Sequence, residues 1–443
     1  MNRGLSLFVF ILVLCIEARS LSMLDIKFIR ENKDLVKDAA QKKHIEFDVE
    51  KLLEVDDERR KILGRVEEQR AEQKVASNEI VKASSEERES ILEKMKVLKE
   101  FLEQEENEFK EVMREWQNLM LMVPNVPDAS VPEGKGEEDN VVLKTWGEKP
   151  KFNFEPKDHV ELMTQLNMVD FERGTKAHGF RGYFLKNSGA MLAWAIWNYA
   201  RDFFLGKNFD LVLAPAIVHK NFFYGTGHLP SGADDIFWTQ DGDGLVGTSE
   251  VSMMAYHADE ILDKNDLPKR YLAFTPCYRR EAGSHSKDVK GLIRVHEFFK
   301  LEQLVLCEAS HEESVKFHEE LNRNTEEFIE SLGIPYQQLM ICTGDLKGAH
   351  IKSYDTELWV PKEEKYREIA SASYYHDFQT RRFNTRYKDM DGNMKYVYSL
   401  NATAIPTPRI LVSLVENFQQ ADGSIKIPDV LVPYMNGLSV IKK

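Results

Sequence analysis

The 443-residue sequence predicts an α+β protein: a long helical hairpin followed by a larger domain of mixed strands and helices. Three observations carry that expectation. Two heptad series are separated by a short break, a proline-rich stretch follows them, and the patterning then turns to strands mixed with helices.

The hairpin comes first. Leu52, Val55, Arg59, Ile62, Val66, Gln69, Gln73, Ala76 and Ile80 recur at alternating spacings of three and four. Ile91, Met95, Leu98, Leu102, Glu105, Phe109, Val112, Trp116, Leu119 and Val123 form a second such series. Joined by Ala83-Ser84-Ser85, they read as an antiparallel coiled coil. Roughly 35 residues per helix, at about 1.5 Å each, would project about 50 Å. Pro124 and Pro127 end the second helix and open an extended linker over 124–141. Charge along the arm is uneven. Residues 59–99 carry eleven Lys or Arg against eight acids, whereas 50–58 with 100–115 carry three against twelve. Phosphates need positive charge where they lie, so the distal half is expected to meet RNA through Arg65, Arg70, Lys74, Lys82, Lys94 and Lys96. Solvated coiled-coil positions are the plain alternative.

Beyond 142 the segment 179–217 reads as strand, aromatic-rich helix, turn at Gly206-Lys207-Asn208, and strand. Its Trp194, Trp197, Tyr199, Phe203 and Phe204 read as core before interface. The most informative stretch is TPCYRREAGSHSKDVKGLIRVHEFFKLEQ, 275–303, read as strand, glycine- and charge-rich loop, strand. Alternation puts Arg279 and Glu281 on one face of the first strand, and Arg294, His296, Phe298, Lys300 and Glu302 on one face of the second. Such a face is too polar for an ordinary core and suits a nucleotide: arginines for phosphates, a ring for the base, carboxylates for an amine or metal.

Composition narrows the class. A net charge of −14 argues against a protein that coats nucleic acid without specificity. Cys15, Cys277, Cys307 and Cys342 lack C-x-x-C spacing, so neither zinc nor a disulfide framework is indicated, which fits a reducing cytosol. The first 22 residues hold an apolar run over 5–16 followed by Ala18-Arg19-Ser20, which could pass for a secretory signal. The run is too short for a spanning helix. The reading adopted is a non-functional extension upstream of a start at Met23. N-terminal sequencing distinguishes the two. The histidines suggest neither a metal site nor a triad; His285 and His296 read as polar lining.

The segment CYRREAGS…GLIRVHEFFKLE resembles motif 2 of the class II aminoacyl-tRNA synthetases, and specifically that of the seryl-tRNA synthetases. The resemblance extends through MLDIKFIREN at 23–32, MVPNVPDASVPEGKGEEDN at 122–140, GTSE at 247–250, TGDLKGAHIKSYDTELW at 343–359, YREIASAS at 366–373, DFQTRR at 377–382 and the final run 401–435. It implies a class II catalytic domain, an antiparallel β-sheet flanked by helices, over 142–443, joined by the 124–141 linker to a tRNA-binding helical domain over 23–123. Residues 1–22 stand outside both.

The implied activity is ATP-dependent formation of seryl-adenylate and transfer of serine to tRNA(Ser), with tRNA(Sec) left open as a second acceptor. Arg279 matches the arginine on the α-phosphate and the amino-acid carboxylate, and Arg409 the γ-phosphate clamp at a helix start. Arg280, Glu281, Val295, Phe298, Glu368, Ile369, Ala370 and Ser371 complete the implied ATP site, with Phe298 beneath adenine. Glu368 and Ser371 are the implied Mg²⁺ contacts. Thr248, Ser249, Glu250, Arg279, Glu302, Asn401 and Thr403 are the implied serine site, with Thr403 and Asn401 reading the hydroxyl. Resemblance further implies a homodimer through 179–217, a cytoplasmic location and no membrane association. The sequence departs from the family at Ala370, where a serine is usual, at Ala402, and at 72–78 on the arm. Two other classes compete. Related enzymes that load an amino acid onto a carrier protein lack the arm and use zinc, and a non-catalytic scaffold has no use for Arg279, Glu302, Glu368 and Arg409 together.

Overall fold

Proline and heptad signals divide the chain close to where its three-dimensional structure divides. The structure is a computed structural model describing residues 24–283, 288 and 290–443. The expectations for 1–22, Cys15 and His285 lie outside those residues. Two units emerge: the chain up to Gln41 with Ile45–Pro124, and Lys42–His44 with Asn125–Lys443.

The first unit holds two short helices, α1 (Ile26–Glu31) and α2 (Lys33–Lys42), then the hairpin helices α3 (Val49–Glu79) and α4 (Ser85–Met122). Local chemistry sets the hairpin's ends. Asp48 caps α3 by accepting the Lys51 amide at 3.0 Å. Ser84 and Glu87 form a capping box that starts α4 at the expected break. The helix stops two residues before Pro124. The expected seam is present. Leu52, Val55, Ile62 and Val66 are buried against Leu102, Phe109, Val112 and Trp116, and Met113, Met120 and Glu106 join them beside the expected positions. Farther out, Gln69, Gln73, Ala76, Ile91, Met95 and Leu98 are half-buried.

Asp56 anchors the base of this unit. Its carboxylate is fully buried and accepts from Arg30 at 2.6 Å and Arg59 at 2.7 Å. Burial alone would push its pKa up, but the two guanidinium groups outweigh that and hold it below the ordinary value.

The second unit is built on an eight-stranded sheet. In chain order its strands are β1 (Val141–Trp146), β2 (Asp210–Leu213), β3 (Lys269–Tyr278), β4 (Glu297–Cys307), β5 (Tyr336–Met340), β6 (Lys352–Val360), β7 (Lys365–His376) and β8 (Tyr398–Thr407). They lie in the order β1-β5-β6-β7-β8-β4-β3-β2. Every pair is antiparallel except the edge pair β2–β3. Helices α5 (Asn187–Leu205), α6 (Ser249–Tyr256), α7 (His311–Leu332) and α8 (Arg409–Asn417) pack around it. Phe317, Leu321, Phe328 and Ile329 of α7 share the main core with Leu301, Val305, Leu400 and Ala402 of the sheet. Gln303 faces the same way, donating to Leu321 O and Thr325 Oγ1. Since side chains alternate along a strand, Phe298, Lys300 and Glu302 face the opposite side.

Three expectations need correction. The 124–141 stretch, read as a linker between domains, avoids regular helix apart from one short 3-10 turn, but from Asn125 onward it belongs to the second unit itself. Asn125 donates to Ala349 O and Tyr375 O, the Asp128 amide donates to Ile351 O, and Tyr374 donates to the Asp128 carboxylate at 2.7 Å. Strand β1 already begins at Val141. Glu281 does not share a strand face with Arg279, because β3 ends at Tyr278 and Glu281 adopts φ +54°. The cause is Asp235, whose carbonyl and carboxylate capture the amides of Arg280 at 2.9 Å and Glu281 at 2.6 Å. Arg294 and His296 likewise precede β4. Finally, the aromatic face of α5 is only partly core: Phe204 is buried, while Trp194 stands 63% exposed.

Replacing Asp56 by Asn is expected to destabilise the protein by roughly 2 kcal/mol, the loss of charge-assisted bonds to two arginines, read by urea unfolding with far-ultraviolet circular dichroism. Because the folded pKa of Asp56 is depressed, its stabilisation is complete above the unfolded value near 3.9 and fades as pH falls through the folded one. The Asn variant should lack that part of the acid sensitivity.

Candidate active site

The two arginines that the sequence separates by 130 positions share one cavity, lined also by Phe298, Lys300, Glu368 and Thr403. Arg279 leaves the end of β3, donates to Gly247 O at 3.3 Å, and carries its guanidinium 5.4 Å from the Phe298 ring centre. Arg409 arrives from another element as the first residue of α8. Its Nε donates to Ile293 O at 3.0 Å and its Nη1 to Glu368 O at 3.1 Å. The α8 N-terminus adds favourable potential for an anion. Burial pushes the Arg409 pKa down while Glu368 pulls it back up. Half-buried His228 lies near the same cations: desolvation first, then Lys347, Arg279 and Lys300, hold its pKa down to about 3.

Other expected nucleotide residues divide. Glu281, Val295 and Ile369 line the cavity. Glu281 is also engaged by Arg294 at 3.1 Å and Arg181 at 3.8 Å. Arg280 is exposed and is not among the lining residues, and the Ala370 side chain packs into the main core. The alternation that points Ser371 toward the site face turns Ala370 away from it.

Ser371 donates to the Glu368 carboxylate at 3.3 Å and stands opposite Asp355 on β6. Burial and the neighbouring Glu368 raise the Asp355 pKa well above normal. Burial also works to raise that of Glu368, but Arg409, Arg279 and Lys347 prevail and its net shift is downward. Ionised carboxylate and hydroxyl oxygens suit a hard cation. Among the described residues no three His, Cys, Asp or Glu side chains converge as a metal cage.

Beside the arginines lies a buried polar cluster. Glu302 is 2% exposed and accepts from Lys300 Nζ at 2.6 Å and from Thr403 Oγ1 at 3.4 Å. Lys300 is two residues away on the same strand, and Thr403 is directly opposite Glu302 on β8, where a bulge follows it. Burial raises the Glu302 pKa despite Lys300. Glu250 is similarly raised by burial and accepts from Gln379 at 2.5 Å. Thr248 caps α6 by accepting the Glu250 amide, and Ser249 beneath it is fully buried. Asn401 accepts from Tyr375, and its buried Nδ2 has no hydrogen-bond partner among the described residues. Lys300, Gln379 and Tyr375 were given no role by the sequence. Alternation between Phe298 and Glu302 does signal Lys300, but Gln379 and Tyr375 arrive through tertiary packing alone.

On the arm, the six expected cations behave differently. Arg65 pairs with Glu105 at 2.6 Å and Glu108 at 3.4 Å, and Arg70 with Glu106 at 2.7 Å, so both tie α3 to α4. Lys74, Lys82, Lys94 and Lys96 have no ion-pair partner among the described residues.

Two family domains are recognised along the chain. Residues 23–127 match the seryl-tRNA synthetase N-terminal domain, and residues 238–418 the tRNA synthetase class II core domain (G, H, P, S and T). The serine–tRNA ligase of Deinococcus radiodurans is 42% identical over 421 residues, covering 95% of this chain and 99% of that protein. That of Thermodesulfovibrio yellowstonii is 41% identical over 429 residues, 95% and 100% of the two chains. Among solved structures, seryl-tRNA synthetase from Pyrococcus horikoshii complexed with ATP superposes with a TM-score of 0.85 at 36% identity, over 94% of this chain and 99% of that one. The cytoplasmic serine–tRNA ligase from Naegleria fowleri in complex with AMP gives 0.82 at 29% identity, over 95% and 98%. With both domains matched and such identity sustained along the full length of its relatives, the chain belongs to the seryl-tRNA synthetase family.

Proposed function

We propose that this protein is a serine–tRNA ligase whose chemistry runs in the cavity shared by Arg279 and Arg409. Their convergence beside Glu302 and Thr403 is the observation that carries the reading. A serine carboxylate oxygen attacks the α-phosphorus of ATP. The new P–O bond forms as the bond to the bridging oxygen breaks, and pyrophosphate leaves. A terminal ribose hydroxyl of tRNA then attacks the seryl carbonyl and releases AMP. Neither step needs covalent help from the protein, so the work is positioning and charge neutralisation.

Arg279 meets the α-phosphate with a planar fork that lysine could not imitate, and Arg409 clamps the far end of the triphosphate. Phe298 offers the adenine its ring face, with Glu281 and Val295 at the rim. Glu368 and Ser371 would hold Mg²⁺, which would supply positive charge to offset that of the departing pyrophosphate. Glu302 receives the serine ammonium, with Thr248 and Glu250 behind it. Thr403, already bonded to Glu302, reads the hydroxyl, supported by Asn401. Alanine would leave those buried polar groups unpaired, which is the basis of discrimination.

The distal arm is the tRNA-binding element, through Lys74, Lys82, Lys94 and Lys96 more than through the paired Arg65 and Arg70. Its acceptor is tRNA(Ser), with tRNA(Sec) as a second candidate. Homodimerisation is supported by the edge strand β2, whose Leu213 is 77% exposed, and by exposed Trp194 and Phe184. The reaction is placed in the cytoplasm, where ATP and tRNA meet. Among the described residues no helix is long and apolar enough to cross a membrane.

Glu302→Gln should lower serine-dependent pyrophosphate exchange by about a hundredfold or more, while ATP binding measured alone persists; unchanged exchange removes Glu302 from the serine site. Changing Lys74, Lys82, Lys94 and Lys96 together to Ala should weaken tRNA binding, flatten its salt dependence by about three to four counterions and spare pyrophosphate exchange. Equal slopes for the two proteins would exclude the arm lysines from RNA contact. Leu213→Asp should shift the sedimentation of the protein from dimer toward monomer, and an unchanged sedimentation profile would place the interface elsewhere.

A further inference from the structure

The two flanks of the arm's seam carry different chemistry. On one flank Val75 of α3 and Val97 and Phe101 of α4 are 45–56% exposed. They lie beside the seam residues Ala76 and Leu98 and line a groove of about 1170 Å³. Of the eight acids in 59–99, five line this groove: Glu68, Glu72, Glu79, Glu89 and Glu93. Of the eleven basic residues in that span only Lys94 does. Helical spacing puts the others elsewhere. Arg70 and Lys74 share a stripe of α3 turned away from Glu72, Val75 and Glu79, and Arg88 and Lys99 share one on α4 turned away from Glu93 and Val97.

A two-helix hairpin needs one apolar seam. A second apolar column beside the seam, contributed by both helices, is the surface on which a third helix packs. The glutamate rim then chooses among occupants. It repels phosphates, so RNA is disfavoured on this flank. It repels an identical arm, whose groove carries the same carboxylates. It complements lysine and arginine.

We propose that this groove docks a basic amphipathic helix of a partner protein, with apolar anchors at i, i+3, i+4 and i+7 filling the space between Val75 and Phe101 and flanking Lys or Arg side chains meeting the glutamates. Of the tRNA-facing lysines only Lys94 lines the groove; Lys74, Lys82 and Lys96 lie off it and stay available, so partner and tRNA are held together.

The test uses the full-length protein and a labelled synthetic helix-forming peptide of Leu and Lys with Leu at that spacing, followed by fluorescence anisotropy. Val75→Ser with Phe101→Ser should weaken peptide binding at least about tenfold and leave tRNA affinity and pyrophosphate exchange unchanged. Reversing the rim with Glu72→Lys, Glu79→Lys and Glu93→Lys should abolish preference for the Lys peptide over its Glu counterpart, which keeps the idea testable if the serine variant loses helicity. Peptide affinity indifferent to both variants would mean attraction to net negative charge alone and overturn the proposal. So would a loss of tRNA binding in the serine variant, which would make this flank the RNA surface.

Discussion

The catalytic unit depends on the alternation of side chains along β4. Leu301, Gln303 and Val305 are committed to α7 and the main core, Gln303 by hydrogen bonds to Leu321 O and Thr325 Oγ1. That commitment leaves Phe298, Lys300 and Glu302 no choice of face. A one-residue slip would bury Lys300 and Glu302 among α7 side chains and turn Leu301 into the site, so register here is a catalytic property as much as a structural one. Antiparallel pairing then brings Thr403 opposite Glu302 and carries the strand on to Arg409.

Charge in the site is balanced by placement rather than by exposure. Glu302 would be costly at 2% exposure were Lys300 not 2.6 Å away on the same strand face. Buried Glu250 relies on Gln379, whereas Glu368, its side chain 52% exposed, has solvent as well as the two arginines and Lys347. The result is graded. On the proposed reading, cations dominate where phosphates would be handled, and buried carboxylates dominate where an ammonium group is expected. Each end of the substrate therefore meets opposite potential, and orientation follows from electrostatics before any shape contact is made.

The arm obeys a different rule. Its seam is apolar near the base, where Trp116 and Phe109 are buried, and thins to Gln, Ala and half-buried side chains farther out. Ion pairs at Arg59, Arg65 and Arg70 secure the proximal part. Among the described residues the distal lysines have no ion-pair partner, and the two flanks are chemically distinct, which suits a surface for partners more than one for internal stability.

Much of this was legible in residue order. Heptad spacing, the capping serine and the prolines determined the hairpin and its limits, because those signals act over a few residues. Alternation determined the face of Phe298, Lys300 and Glu302 for the same reason. Motif order singled out the two arginines that share the cavity. Tertiary structure alone decided that Glu281 leaves the strand, since Asp235, 46 positions away, captures its amide. It decided that 124–141 belongs to the second unit from Asn125 onward, that Arg65 and Arg70 are paired, and that Gln379 stands behind Glu250. Each of these rests on a partner distant along the chain, and the free energy of such a contact depends on where packing puts the partner, which no local pattern encodes.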